Sequence, residues 1–243
     1  MRMLAFAKRN AKEILRDPLA IGFSLGFPIV LILLLSAIQA NIPVSLFEIE
    51  NLAPGICVFA LSFMTLFSAT LISKDRESAL LQRLYTTPLT ASDFIFGYIL
   101  PIIPISIAQS IICYAVAIIL GMSVTLNLVY AILFIIPTVL LYISLGLLCG
   151  SLFNVKQVGG ICGALLTNLS AWLSGVWFDL ELVGGAFKRI AYALPFVHAV
   201  ELERSVLQGS FDEIFSHLIW VLAYALVLTV VAIFIFLSQM KKQ

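Results

Sequence analysis

Catalysis inside a membrane-sized apolar segment needs polar groups that can meet: paired aspartates, a Glu/His set for a metal, or a serine with a histidine. The apolar segments of this 243-residue sequence offer none of these. Cys57, Cys113, Cys149 and Cys162 each fall inside an apolar run, at no metal-type spacing, and read as small buried hydrophobes. His198 and His217 stand singly at run borders and read as satisfied surface groups. There is no Gly-x-x-x-x-Gly-Lys-Ser/Thr phosphate cradle, and no Gly-Lys pair at all, so ATP hydrolysis by that route is excluded. No catalytic residue, metal site or cofactor is expected in this chain. The polar chemistry sits elsewhere, in the charged stretch from Ser73 to Phe94 and in Thr167 and Asn168, midway along an apolar run. Polar groups at that depth are expensive and often functional; Gln109 is a weaker case.

The elements that position these residues follow from composition. Hydrophobic residues make up 62% of the chain and charged residues 11%, against about a quarter charged in soluble domains. Mean hydropathy is +1.11. Too little polar surface is present to clothe a soluble protein, and an all-α integral membrane protein of one domain, 1–243, is expected. The net charge of +1 gives no argument for a nucleic-acid partner, and none is expected. A crossing helix takes about 20 apolar residues. Six segments qualify: Leu19–Ile38, Pro54–Ile72, Phe94–Leu120, Leu128–Leu152, Gly159–Phe178 and His217–Leu237. They are too long and too uniform for barrel strands. Pro101 and Pro104 predict a kink in the third, and Gly146-x-x-x-Gly150 internal packing in the fourth. In the fifth, Gly159-x-x-x-Gly163 would let another helix approach closely.

Lys and Arg set the orientation. With both termini in the cytoplasm, the inner segments hold Arg2, Lys8, Arg9, Lys12, Arg16, Lys74, Arg76, Arg83, Lys156, Lys241 and Lys242; the outer ones hold only Lys188, Arg189 and Arg204. A multi-pass protein of the cell (inner, cytoplasmic) membrane is expected, without a cleavable signal peptide.

Residues 1–17 place Leu4, Ala7, Ala11, Ile14 and Leu15 on one helical face and basic residues on most of the rest, which predicts an interfacial helix on the inner leaflet lipid. Residues 74–87 predict a second cytoplasmic helix. Asp75 and Glu77 suit its first turn and Arg83 its last, Leu80, Leu81 and Leu84 form an apolar stripe, and Thr87-Pro88 stops it. Thr90 and Ser92 are candidate N-caps for the next span. Such a rigid knob, held between two spans, suits a surface that receives force from a soluble partner.

The stretch from Asp75 to Leu100 resembles the signature of type-two permeases of ATP-binding-cassette exporters: an acidic-Arg-Glu opening, a Leu-rich helix, a Thr/Ser-Pro stop, then glycine in the next span. Asp75, Arg76, Glu77, Leu81, Leu84, Pro88, Leu89 and Gly97 match, whereas Ala79-Leu80 stands where Gly-Thr is usual and Gln82 where Glu is frequent. A second match precedes the last span, in Ser174-Gly175, Trp177-Phe178, Leu194-Pro195, Arg204 and Gly209, with Asp179 and Glu181 replacing prolines. The resemblance covers nearly the whole chain. It implies that the knob is a coupling helix seated in a separate ATPase subunit, present in two copies, which binds ATP and Mg. A second permease subunit, identical or different, completes the pathway. It further implies coupling through Arg76, Glu77, Leu81, Arg83 and Leu84. A substrate path would run along Phe59, Phe63 and Phe67 of the second span and Thr167, Asn168 and Leu169 of the fifth. An outer gate would form in 179–216, where a re-entrant helix from about Phe196 to Leu207 precedes the last span, and would include Trp177, Phe178, Pro195 and Arg204. Asp179, Glu181, Glu201 and Glu203 would form an acidic outer rim.

A path without buried charge suits export of an apolar or amphipathic drug, peptide or lipid-like compound; export of sodium or a lipid-linked glycan is the alternative. No intramembrane carboxylate is expected, which disfavours an ion-driven transporter. A membrane subunit that uses the ATPase for mechanical or sensory work, without transport, is the remaining rival.

Overall fold

The structure is a computed structural model that describes residues 2–42, 45–78 and 90–240. Among the described residues every regular element is helical. Five helices are long and apolar enough to cross a membrane. Helix α1 is Arg2–Arg16; the first two of the five spans are α2, Pro18–Asn41, and α3, Ile49–Glu77. The expected third span is α4, Ala91–Ile99, and α5, Ile102–Ile119. These join at Leu100-Pro101, where the missing proline N–H interrupts the ladder. Helix α6 is Asn127–Leu152 and the last span, α11, is Phe211–Met240.

The expected fifth span is helical over 155–173 (α7), in the stretches Val155–Gly160, Ile161–Leu166 and Thr167–Leu173. At 1.5 Å per residue it measures about 28 Å. It is not among the five apolar helices, because Lys156, Gln157, Thr167, Asn168 and Ser170 dilute its apolar residues. Its predicted end at Phe178 is corrected: Ser174–Phe178 leave the helix through a turn with Gly175 at φ +70°. Its middle stretch is wound wider than an α-helix, and Thr167 Oγ1 donates 2.8 Å to the Cys162 carbonyl five residues back.

Between α7 and α11 lie α8, Leu180–Val183, α9, Gly185–Ala193, and α10, Pro195–Gln208. Proline at its first position preorganises α10, and Gly209 ends it at φ +77°, a left-handed conformation that costs glycine nothing. The last span therefore starts at Phe211 instead of His217.

Helix α3 is the core of the bundle, buried along nearly its whole length from Leu52 to Ile72. It packs on α6, α5 and α7; α6 packs in turn on α11, and α10 lies across α3, α6 and α11. The outward faces of α2 and α11 are apolar, with Leu19, Val30, Leu226 and Phe234 exposed, as lipid contact requires. Gly146 and Gly150 of α6 allow the close α3–α6 approach: a Cβ at Gly150 would lie 2.8 Å from Ile72 Cβ and 2.9 Å from the Ala69 carbonyl. The second expected glycine pair does not act so within the chain, since nothing lies within 4 Å of a Cβ at Gly159 and Gly163 meets only Leu66 at 3.4 Å.

Two expectations at the expected cytoplasmic end change. The second span does not stop at Ile72; α3 runs on to Glu77, so Lys74–Glu77 are its last turn rather than the start of a separate helix. Leu81, Arg83, Leu84, Thr87 and Pro88 lie outside the described residues. Helix α1 is docked by Phe6, Ala7, Asn10 and Ile14, leaving Leu4 and Leu15 exposed. Its face is rotated because Phe6 fits over Gly97, where a Cβ would come within 2.3 Å of its ring, and Asn10 Nδ2 donates 3.0 Å to the Gly97 carbonyl.

Candidate functional site

The three residues that open the polar stretch each reach a different element. Asp75 is 2% exposed. Its carboxylate accepts two hydrogen bonds from the Arg9 guanidinium of α1, at 2.6 and 2.9 Å, and one from Tyr98 Oη of α4 at 2.9 Å. The two-point geometry fixes the angle of α1 as well as its distance. Arg9 also pairs with Glu13 one turn on. Arg76 points to the opposite side, where its Nη1 donates to the carbonyls of Gly150 at 2.7 Å and Ser151 at 2.6 Å. These are unsatisfied acceptors at the C-terminus of α6, where a cation is favoured. Glu77 Oε1 accepts 2.9 Å from the Val155 amide, the first N–H of α7, where an anion is favoured. The same helix start is capped by Asn154, whose side chain exchanges hydrogen bonds with Gln157.

Asp75-Arg76-Glu77 thus ties the end of α3 to α1, α4, α6 and α7 at once. A shift of the end of α3 along the bundle would therefore act on all of these elements. Of the five expected coupling residues, Arg76 and Glu77 lie at this junction, facing α6 and α7; Leu81, Arg83 and Leu84 are outside the described residues. Arg9, Asn10 and Tyr98 were missed by sequence reasoning, and Gly150 was expected as a packing residue and not as the acceptor of Arg76. Arg9 is 66 residues from Asp75, and only the odd polar Asn10 within the buried face of α1 signals a docked helix.

The expected path residues divide. Phe59 and Phe63 are buried in an aromatic cluster: Phe63 meets Phe23 and Phe27 of α2 at 5.7 and 5.6 Å, and Phe59 meets Trp177 at 5.8 Å. Phe67 is partly buried lower on α3, beside Ile14, Ala20 and Lys74. Thr167 is buried on its own helix, and Leu169 is partly buried against the core. Asn168 is exposed and donates 2.7 Å to the Ala164 carbonyl. With Lys156, Gly160, Ala164 and Trp172, it makes a face of α7 that is left uncovered among the described residues.

At the opposite end, Trp177, Phe178 and Arg204 line one cleft of about 510 Å³, with Phe47, Tyr192 and Glu201. Arg204 staples its wall, donating to the Asn51 and Gly175 carbonyls and to Glu201 at 3.2, 3.3 and 2.8 Å. Pro195 is not a lining residue; it is buried at the start of α10. The expected acidic rim is corrected at Glu203, which is fully buried. Asp179 caps α8 and Glu181 pairs with Lys188.

The histidines, expected as separate surface groups, meet. His198 Nδ1 lies 2.9 Å from His217 Nδ1, its Nε2 3.0 Å from the Tyr192 carbonyl, and its ring stacks on Trp220. Burial lowers the His198 pKa below its ordinary value, the Tyr192 carbonyl opposes the shift, and His217 adds to it. A lowered value means the unfolded chain binds the proton more readily, so the stability contributed by neutral His198 is full above about pH 6.5 and lost as pH falls toward the folded value. The thermal midpoint of wild type relative to His198→Gln is accordingly expected to fall between about pH 7 and pH 5; a constant difference would refute it.

A family model described as ABC-2 type transporter matches residues 1–207. No curated protein matches the chain.

Proposed function

The chain belongs to the ABC-2 type transporter family, and from that premise we propose that it is an exporter permease driven through the junction at Asp75-Arg76-Glu77. It is a multi-pass membrane protein and the permease subunit of an ABC transporter, working with an ABC ATPase subunit. On the reading proposed here, ATP and Mg bind the partner, two ATPase copies act on two permease subunits, and the chain itself is not an enzyme. The segment after Glu77 seats in the ATPase at the cytoplasmic face. The substrate is apolar or amphipathic, and it leaves past the cleft formed by Trp177, Phe178 and Arg204.

The observation that carries this reading is the spread of contacts from three consecutive residues. A force applied just after Glu77 pulls on the end of α6 through Arg76, on the start of α7 through Glu77 and on α1 through Asp75. Helix α7 offers the uncovered small-residue face at Gly160, Ala164 and Asn168 to a second subunit. A movement at the junction would thereby reach the subunit seam directly.

The test is ATP hydrolysis by the permease–ATPase complex in nanodiscs. Leu84→Asp is expected to abolish assembly. Glu77→Ala is expected to keep assembly and lower permease-dependent hydrolysis about tenfold, the loss that follows from about 1.4 kcal/mol in a coupling contact. Hydrolysis unchanged in both variants would remove the coupling role. Uptake of amphipathic dyes into inverted vesicles reads the transport step itself.

A further inference from the structure

Glu203 lies on α10, with no part of its side chain exposed. Its Oε2 accepts 2.9 Å from Tyr114 Oη of α5, and its Oε1 has no polar partner among the described residues. No ion pair reaches it among those residues. The adjacent Arg204 turns the other way, to Asn51, Gly175 and Glu201. The titratable groups packed near it are Tyr114 and Cys113 of α5 and Cys57 of α3, and none is basic. On α6, Tyr142 bonds Ser170 and Tyr130 meets Phe211 edge to face; on α11, His217 is taken by His198.

A carboxylate in such a place would face an interior without a counter-cation and with a single hydroxyl donor. Desolvation then disfavours the charged form, and the group keeps its proton. Burial accordingly holds the Glu203 carboxyl well above the usual carboxylate range. Because Oε2 already accepts from Tyr114 Oη, the proton is assigned to Oε1. The burial itself depends on α10, which is a separate short helix between two left-handed or proline breaks and not a span.

We propose that Glu203 is a proton-binding site on α10, protonated while the helix is packed against α3 and α5 and ionised when the helix withdraws. On withdrawal the Oε1–H bond breaks, the electron pair stays on the carboxylate, and the proton passes to water on the side of the Trp177–Arg204 cleft. Repacking takes one proton back. The release half rests on the reading of α10 as the moving outer gate, whereas the protonated resting state does not.

Infrared spectroscopy of the permease–ATPase complex in nanodiscs at neutral pH tests both halves. The resting wild type is expected to show a carboxylic-acid carbonyl band that shifts in D₂O, is missing from Glu203→Gln, and moves without vanishing in Tyr114→Phe. A wild type without that band overturns the proposal whatever the variants do. Trapping with ATP and vanadate, verified by counting occluded nucleotide, is expected to exchange the acid band for carboxylate. Occluded nucleotide with an unchanged band overturns the release half. Absence of occlusion would speak against the coupling reading, and the resting band would still decide the protonation of Glu203.

Discussion

Arg9→Ala is expected to destabilise the protein by roughly 2–4 kcal/mol, and by more than Asp75→Asn does. The asymmetry comes from burial. Asp75 is 2% exposed, while the Arg9 side chain is 38% exposed. Removing Arg9 leaves a buried carboxylate with Tyr98 Oη as its one side-chain donor among the described residues, so its desolvation cost is no longer offset. The loss stays below the full cost of breaking a buried pair because water reaches Arg9 and screens it. Asp75→Asn removes the buried charge together with the pair and leaves Arg9 to Glu13, its neighbour at 2.6 Å. Replacing both residues, as Arg9→Leu with Asp75→Leu, should recover most of the loss. Thermal unfolding of the four proteins in one lipid environment gives the cycle. Additive losses from Arg9 and Asp75 would mean that the contact contributes nothing. Limited proteolysis after α1 should report its release in Arg9→Ala.

Gly150→Ala is expected to be as damaging, at the upper end of the roughly 1–3 kcal/mol that overpacking costs. The added Cβ would meet Ile72 Cβ at 2.8 Å, the Ala69 carbonyl at 2.9 Å and Ala69 Cα at 3.0 Å. None of these is the end of a flexible side chain, so α3 and α6 must separate. The Gly150 carbonyl would move with its helix, away from Arg76. Gly146→Ala should cost less: its closest clash is with Ser68 Oγ, which can rotate, although the Thr65 carbonyl stands at 3.0 Å. Gly22→Ala is the control. Nothing lies within 4 Å of that Cβ, and removing a helical glycine gains up to about 1 kcal/mol. A midpoint that rises for Gly22→Ala and falls for Gly150→Ala is the expected pair. Equal effects would mean that helix propensity, and not the α3–α6 approach, governs both.

Much of the architecture was legible because a bilayer leaves little choice. Long apolar runs become helices, since every backbone polar group must be satisfied within its own segment. The proline kink in the third span, the Thr90 cap and the helix expected from about Phe196, which begins one residue earlier at Pro195, also followed from local chemistry. Local chemistry misled where a charged residue follows an apolar run. Lys74 looked like the start of a new helix, yet Asp75 and Arg76 find partners inside the bundle and allow α3 to continue to Glu77.

The candidate site was legible as a set of residue types and not as a set of contacts. Asp75-Arg76-Glu77 could be marked from its place between two spans, but its targets lie 23 to 78 residues away in sequence. Glu203 is the clearest divergence. In sequence it stands among Glu201, Arg204 and Gln208 and reads as part of an exposed rim. On α10 it turns toward Tyr114, while Glu201 and Arg204 turn to the cleft. The sequence by itself determined the membrane class, the helices and the position of the charged junction, because hydropathy and backbone satisfaction act locally. Only the tertiary structure decided which carboxylate is exposed, which is paired with arginine and which is buried without a cation, because that depends on which helix face each neighbour covers.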